Sequence, residues 1–180
     1  MESAADAVLG YVKEGGEKWL ENSDAYQDLL ESCGETLLPT LLDLCRHESP
    51  ELRAVAAAML ATRRPHTQEM VEAFSQLLCD THIIVRIKAL LALLDFDSDF
   101  AAPLIGTLEQ IAENQKDLDD QVERALAMDC LLIHGGDSSK YVPELFKILR
   151  TRSESGVLSL AGIVAMEALI RCGAIEEVEG

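Results

Sequence analysis

The chain has 180 residues, enough for one domain with a substantial core. Leu and Ala supply more than a quarter of it, against 4% aromatic residues, 11 Gly and 5 Pro, which favours helices and argues against a β-sandwich or barrel. Its net charge of −17 argues against a general binder of nucleic-acid phosphates, which needs a basic footprint.

In chain order, Met1 to Asp6 is acidic and lacks the basic start of a signal peptide. Ala4 to Tyr11 and Trp19 to Leu30 read as short amphipathic helices broken at Gly15-Gly16. Residues 1–33 are therefore expected to form an N-terminal helical cap, with Trp19, Leu20, Tyr26, Leu29 and Leu30 covering the first unit of a repeat array. That array is expected over 34–175, in segments of about 34–66, 67–99, 100–138 and 139–175, and the acidic residues 176–180 are expected to fray.

Each segment reads as a helix–turn–helix. In the first helices, Pro39, Pro103 and Pro143 precede apolar residues two and five positions on; Glu72 takes that place in the second segment, ahead of Phe74 and Leu77. The second helices align on Arg53, Arg86, Arg124 and Gly162, at spacings of 33, 38 and 38 residues. Three positions beyond each anchor stands Ala56, Ala89, Ala127 or Ala165; seven beyond stands Leu60, Leu93, Leu131 or Leu169. These positions share one helical face, where Ala lets two axes approach and Leu fills the groove a turn later. Polar insertions around 114–121 and 151–157 lengthen the turns of the third and fourth segments.

The prolines, the arginines Arg53, Arg86 and Arg124, and the Ala/Leu register resemble the HEAT repeat family over roughly residues 35–173. The resemblance implies an all-α fold: a right-handed α-solenoid of about four HEAT-like helix pairs, whose second helices line a concave, partner-holding surface. It also implies that each anchor Arg ties neighbouring repeats together through an acidic residue. Gly162 departs from that pattern and leaves the fourth junction without its Arg.

Chemistry is sparse. The five cysteines, Cys33, Cys45, Cys79, Cys130 and Cys172, show no CxxC spacing and read as reduced thiols in a cytoplasmic protein. His47, His66, His82 and His134 lie near helix ends without ligand spacing, so each reads as a satisfied or solvated side chain. Arg46-His47-Glu48 resembles one His-Glu pair of the deoxyhypusine hydroxylases, but a single pair cannot build a two-metal site. Asp95-Phe96-Asp97-Ser98-Asp99 opens like a calcium loop, yet Phe100 and Gly106 stand where Gly and Glu are needed; a helix cap is the simpler reading. No nucleotide-binding or nucleophile-elbow motif appears, so no catalytic residue, metal or cofactor is assigned.

The surface carries more. On the side of the second helices opposite the repeat core, Val55, Thr62, Lys88, Leu91, Asp95, Leu126, Asp129, Ile133, Val164 and Glu167 mix apolar with charged residues, where a plain surface helix would be polar. Two explanations stand: a partner groove bordered by charge, or extra packing between repeats. Asp97, Asp99, Glu113, Asp117, Asp119 and Asp120 add an acidic strip, relieved there only by Lys116. The expected function is a non-catalytic adaptor or scaffold that binds a protein, with no direct nucleic-acid contact. No membrane insertion is expected, since the longest uncharged run, Ser155 to Met166, is too short to span. The alternatives are an acidic inhibitor or immunity-type protein that neutralises a basic target, and a HEAT-like enzyme of the lyase type.

Overall fold

In a computed structural model, residues 33–114, 121–151 and 157–175 are described, together with Asp6, Val8 and Gly10, and every element among them is helical. After a 3-10 turn at Gly34–Thr36, the chain forms α1 (Leu37–Leu44), α2 (Pro50–Ala61), α3 (Gln68–Leu77) and α4 (Ile83–Leu93). A short α5 (Ser98–Ala101) and a 3-10 turn (Ala102–Leu104) lead into α6 (Ile105–Glu113); α7 (Gln121–Ile133), α8 (Ser138–Leu149) and α9 (Leu160–Arg171) complete the order.

Local chemistry sets the helix starts. Ser49, Thr67, Asp137 and Ser159 each occupy an extended N-cap position and accept a backbone N–H from the first turn of α2, α3, α8 and α9. Pro50 follows its cap directly, where a missing N–H costs nothing. Pro103 lies in the 3-10 turn before α6, so the third first-helix is divided between α5 and α6. Between α7 and α8 the chain reverses on two glycines. Gly135 adopts φ of +90°, and a Cβ on Gly136 would fall 2.7 Å from the Leu131 carbonyl oxygen.

Packing follows the register. The second helices stand in file, α2 against α4, α4 against α7 and α7 against α9, while α1, α6 and α8 flank α2, α7 and α9. The chain is an all-α solenoid. Ala56, Ala89, Ala127 and Ala165 are all fully buried, and so are Leu60, Leu93, Leu131 and Leu169 within 1%. Removing those eight side chains from water is the kind of apolar burial that stabilises stacked pairs which singly could not cover their faces. Phe74, Leu41, Leu108 and Leu145 supply the matching fully buried face of the first helices. Val8 is buried too; the expected cap residues Trp19, Leu20, Tyr26, Leu29 and Leu30 and the tail 176–180 lie outside the described residues.

The alanine contact is directly testable. Ala127→Leu adds three carbons where no space is exposed and is expected to cost roughly 1–3 kcal/mol in chemical denaturation. Ala102→Leu, at an exposed position, should change stability by less than about 0.5 kcal/mol.

Candidate functional site

The anchor arginines build a polar ladder at the starts of the second helices. Arg53 places Nε and Nη2 on the two carboxylate oxygens of Asp80, at 2.7 and 2.9 Å, and uses Nη1 to donate to the carbonyls of His47 and Glu48. Arg86 repeats the arrangement: Nε and Nη2 reach Glu123 at 3.0 and 2.7 Å, and Nη1 donates to the Asp80 carbonyl. Each guanidinium thus closes the turn of its own repeat and grips an acid of the next. Only a planar fork with five donors can do both. Arg124 is looser, donating to the Ala112 carbonyl at 3.1 Å and standing 3.9 Å from Glu144.

In the fourth repeat Gly162 replaces the Arg, and a Cβ there would meet the Leu149 carbonyl oxygen of α8 at 3.6 Å, an ordinary contact. The third and fourth repeats are tied again at the opposite end of the helices, where Arg171 donates to Asp129 of α7. That end holds other cross-repeat contacts. Arg64 donates to the Asp95 carbonyl at 2.7 Å, and His134 Nε2 lies 2.9 Å from the Leu93 carbonyl. His66 is buried, stacked on Phe96 with ring centroids 3.9 Å apart. Asp97 stands at the N-cap of α5 but makes no side-chain cap bond; its carboxylate meets His66 instead.

These positions set the electrostatics. The Arg53 guanidinium, more than any other group, holds the Asp80 carboxyl below its usual range. Burial pushes the Asp129 carboxyl up despite Arg171. Burial also raises the Cys45 thiol to about 12 and moves Cys130 in the same direction, so neither supplies a thiolate nucleophile near neutral pH. Among the described residues no His, Cys, Asp and Glu group is arranged to hold a metal ion. An open cleft of about 300 Å³ between α4 and α7 is lined by Cys79, Asp80, Arg86, Ile111, Asn114 and Glu123. Its Arg86 and Glu123 are already joined to each other.

The residues picked out along the second helices separate by depth. Val55 and Leu126 lie in the core, Leu126 only 2% exposed, and Asp129 is buried against Arg171. Lys88, Ile133 and Val164 are half-buried; Thr62, Asp95 and Glu167 are exposed, as is Leu91 at 40%. Of the acidic strip, Asp97, Asp99 and Glu113 are exposed, with Glu113 paired to Lys140; Asp117, Asp119 and Asp120 lie outside the described residues.

One row escaped the sequence reading. Two positions before each anchor stand Glu51, Ile84, Val122 and Leu160. Ile84 is 47% and Leu160 64% exposed, with Val122 half-buried between them in the file. Ile84 and Leu91 are seven residues apart and so share a face of α4. Extending the register half a turn upstream would have exposed the pattern.

Residues 38–126 match the family model for HEAT repeats. No curated protein and no solved structure gives a match.

The ladder carries a stability expectation. Arg86→Ala leaves the buried Glu123 carboxylate without its fork and should cost about 2–3 kcal/mol; adding Glu123→Gln should recover part of that loss. The Asp80 carboxyl is depressed in the fold, so its contribution is present above the unfolded value near 4 and is lost as pH falls through the lower folded value. Acid titration of stability should therefore be flatter below pH 4 in Arg53→Ala than in the unsubstituted chain.

Proposed function

We propose that this HEAT-repeat chain is a non-catalytic adaptor that binds a protein along the exposed face of its second helices. The observation carrying the reading is the apolar row of Ile84, Val122 and Leu160, extended by Leu91 and Val164. Ile84, Leu91 and Leu160 remain accessible, with Val122 and Val164 half-buried beside them, although the positions just before each anchor are buried. Glu51 and Glu167, both exposed, stand at the two ends of this face. Apolar anchors bordered by charge give a binding surface its affinity and its orientation respectively. A complementary partner presents an apolar ridge with basic residues at its flanks. The HEAT architecture supports a protein as the ligand, and no helix among the described residues is long and apolar enough to cross a membrane. We place the chain in the cytoplasm on its reduced cysteines.

A second reading, an acidic inhibitor that neutralises a basic target, draws on the net charge of −17. One experiment separates the two. Affinity capture from cell extract is compared for the unsubstituted chain and an Ile84→Asp/Leu160→Asp variant. Both substitutions are on exposed side chains and should leave stability within about 1 kcal/mol. The adaptor reading expects a discrete partner that the variant loses by about tenfold or more and that persists in about 0.5 M salt, where the Debye length falls to roughly 4 Å. Equal capture by both proteins, abolished by that salt, favours the inhibitor and overturns the apolar face.

A further inference from the structure

We propose that His66 is an acid-sensitive latch between neighbouring repeats: its neutral ring locks the segment after α2 onto the turn after α4, and a proton on Nε2 releases it. The ring occupies an aromatic slot. Phe96 stacks on it with an interplanar angle of 17°, Phe100 meets it edge-on at 5.9 Å, and Phe74 of α3 backs Phe96 at 5.0 Å. The imidazole side chain is wholly withdrawn from solvent. A histidine in such a place normally has both ring nitrogens satisfied.

Here only one is. Two groups of Asp97 approach Nδ1, the carboxylate Oδ2 at 2.8 Å and the backbone N–H at 3.2 Å. The two contacts exclude each other, because Nδ1 accepts the amide only when bare and donates to the carboxylate only when protonated. The nearer, charged carboxylate selects the Nδ1–H tautomer, in which the Asp97 amide loses Nδ1 as its acceptor. Nε2 is then the bare nitrogen, buried with no partner among the described residues. A missing acceptor contact is tolerable for a neutral ring. A second proton has only Nε2 to occupy, and an N–H⁺ there would be buried with nothing to receive it.

The charged groups acting on the ring, among the described residues, are Arg64 on its own segment and Asp97 opposite. Burial and Arg64 hold the ring below its usual range; Asp97 favours the imidazolium but does not prevail. A depressed histidine contributes stability above its unfolded value near 6.5, and that contribution is lost as pH falls toward the folded value. What opens is local. The same junction contains the Arg64 bond to the Asp95 carbonyl, and it joins the far ends of α2 and α4. Acid therefore loosens one end of the face that carries Leu91 while the Arg53–Asp80 fork still holds the other.

The test follows the intact chain by NMR from pH 7.5 to 5. The His66 ring resonances report its titration, and amide exchange at Arg63 and Phe96, divided by the intrinsic rate, reports opening. The latch requires the ring to titrate below about 6.5, and opening to rise by up to about tenfold between pH 7 and 5.5 while Leu90 and Ala127 amides keep their protection. Asp97→Asn removes the group that favours the imidazolium, so the ring should titrate at lower pH, and the rise in opening, which begins near the unfolded value, should extend to lower pH. His66→Phe keeps an aromatic ring in the slot and should abolish the pH dependence. A ring that titrates at or above 6.5, opening that does not change with pH, or the same acid response in His66→Phe would each overturn the latch.

Discussion

The full burial of Ala56, Ala89, Ala127 and Ala165, at one register position of second helices that pack in file, is the constraint on which the rest of the molecule depends. Each methyl group is wholly buried, so the facing helix has no room for a longer side chain. The consequence is clearest in α7, where every residue from Glu123 to Asp129 and on to Leu131 is buried. Inside the file of second helices, α4 and α7 share a weak thiol bond, Cys130 Sγ to the Leu90 carbonyl at 3.3 Å. The charged ties are displaced to the two ends of the helices.

That displacement explains the chemistry of the ends. At the starts of the helices, Arg53 and Arg86 each commit two donors to a carboxylate and a third to a turn carbonyl. A lysine in the same place would make a point contact with the acid and leave the turn untied. Between the third and fourth repeats the looser contact of Arg124 with Glu144 is joined by an ionic tie at the other end, Arg171 to Asp129. The opposite ends are held by backbone carbonyls, at Leu93 and Asp95, and by aromatic stacking around His66. The two ends of the stack therefore differ in what can disturb them: strong acid at one, protonation of an imidazole at the other.

Much of this was legible in the residues. The Ala/Leu register and the anchor arginines mark the elements directly, because small residues and planar cations each have few structural uses. Depth was not. Val55 and Leu91 look alike in a helical wheel, yet one is buried and the other exposed, because burial depends on the neighbouring helix and not on the residue's own face. The acids that receive Arg53 and Arg86 lie 27 and 37 residues away, at offsets that shift with turn length. His66 was hidden for a related reason. Its slot is made by Phe96 and Phe100, which stand in the next repeat, and nothing in the local pattern Arg64-Pro65-His66 distinguishes it from a surface turn. The position two residues before each anchor was readable but belonged to the turn side of the helix start, where an apolar residue draws little notice.

A stack in which each repeat touches only its neighbours should lose structure from its ends inward, unlike a closed bundle that melts as one unit. Native-state hydrogen exchange in increasing denaturant reads this directly. The highest opening free energies are expected in α4 and α7, which have second-helix neighbours on both sides, and a lower value in α9, which has one. Equal opening free energies and equal denaturant dependence across α2, α4, α7 and α9 would mean a single cooperative core, and would contradict the linear stack on which the proposed binding face rests.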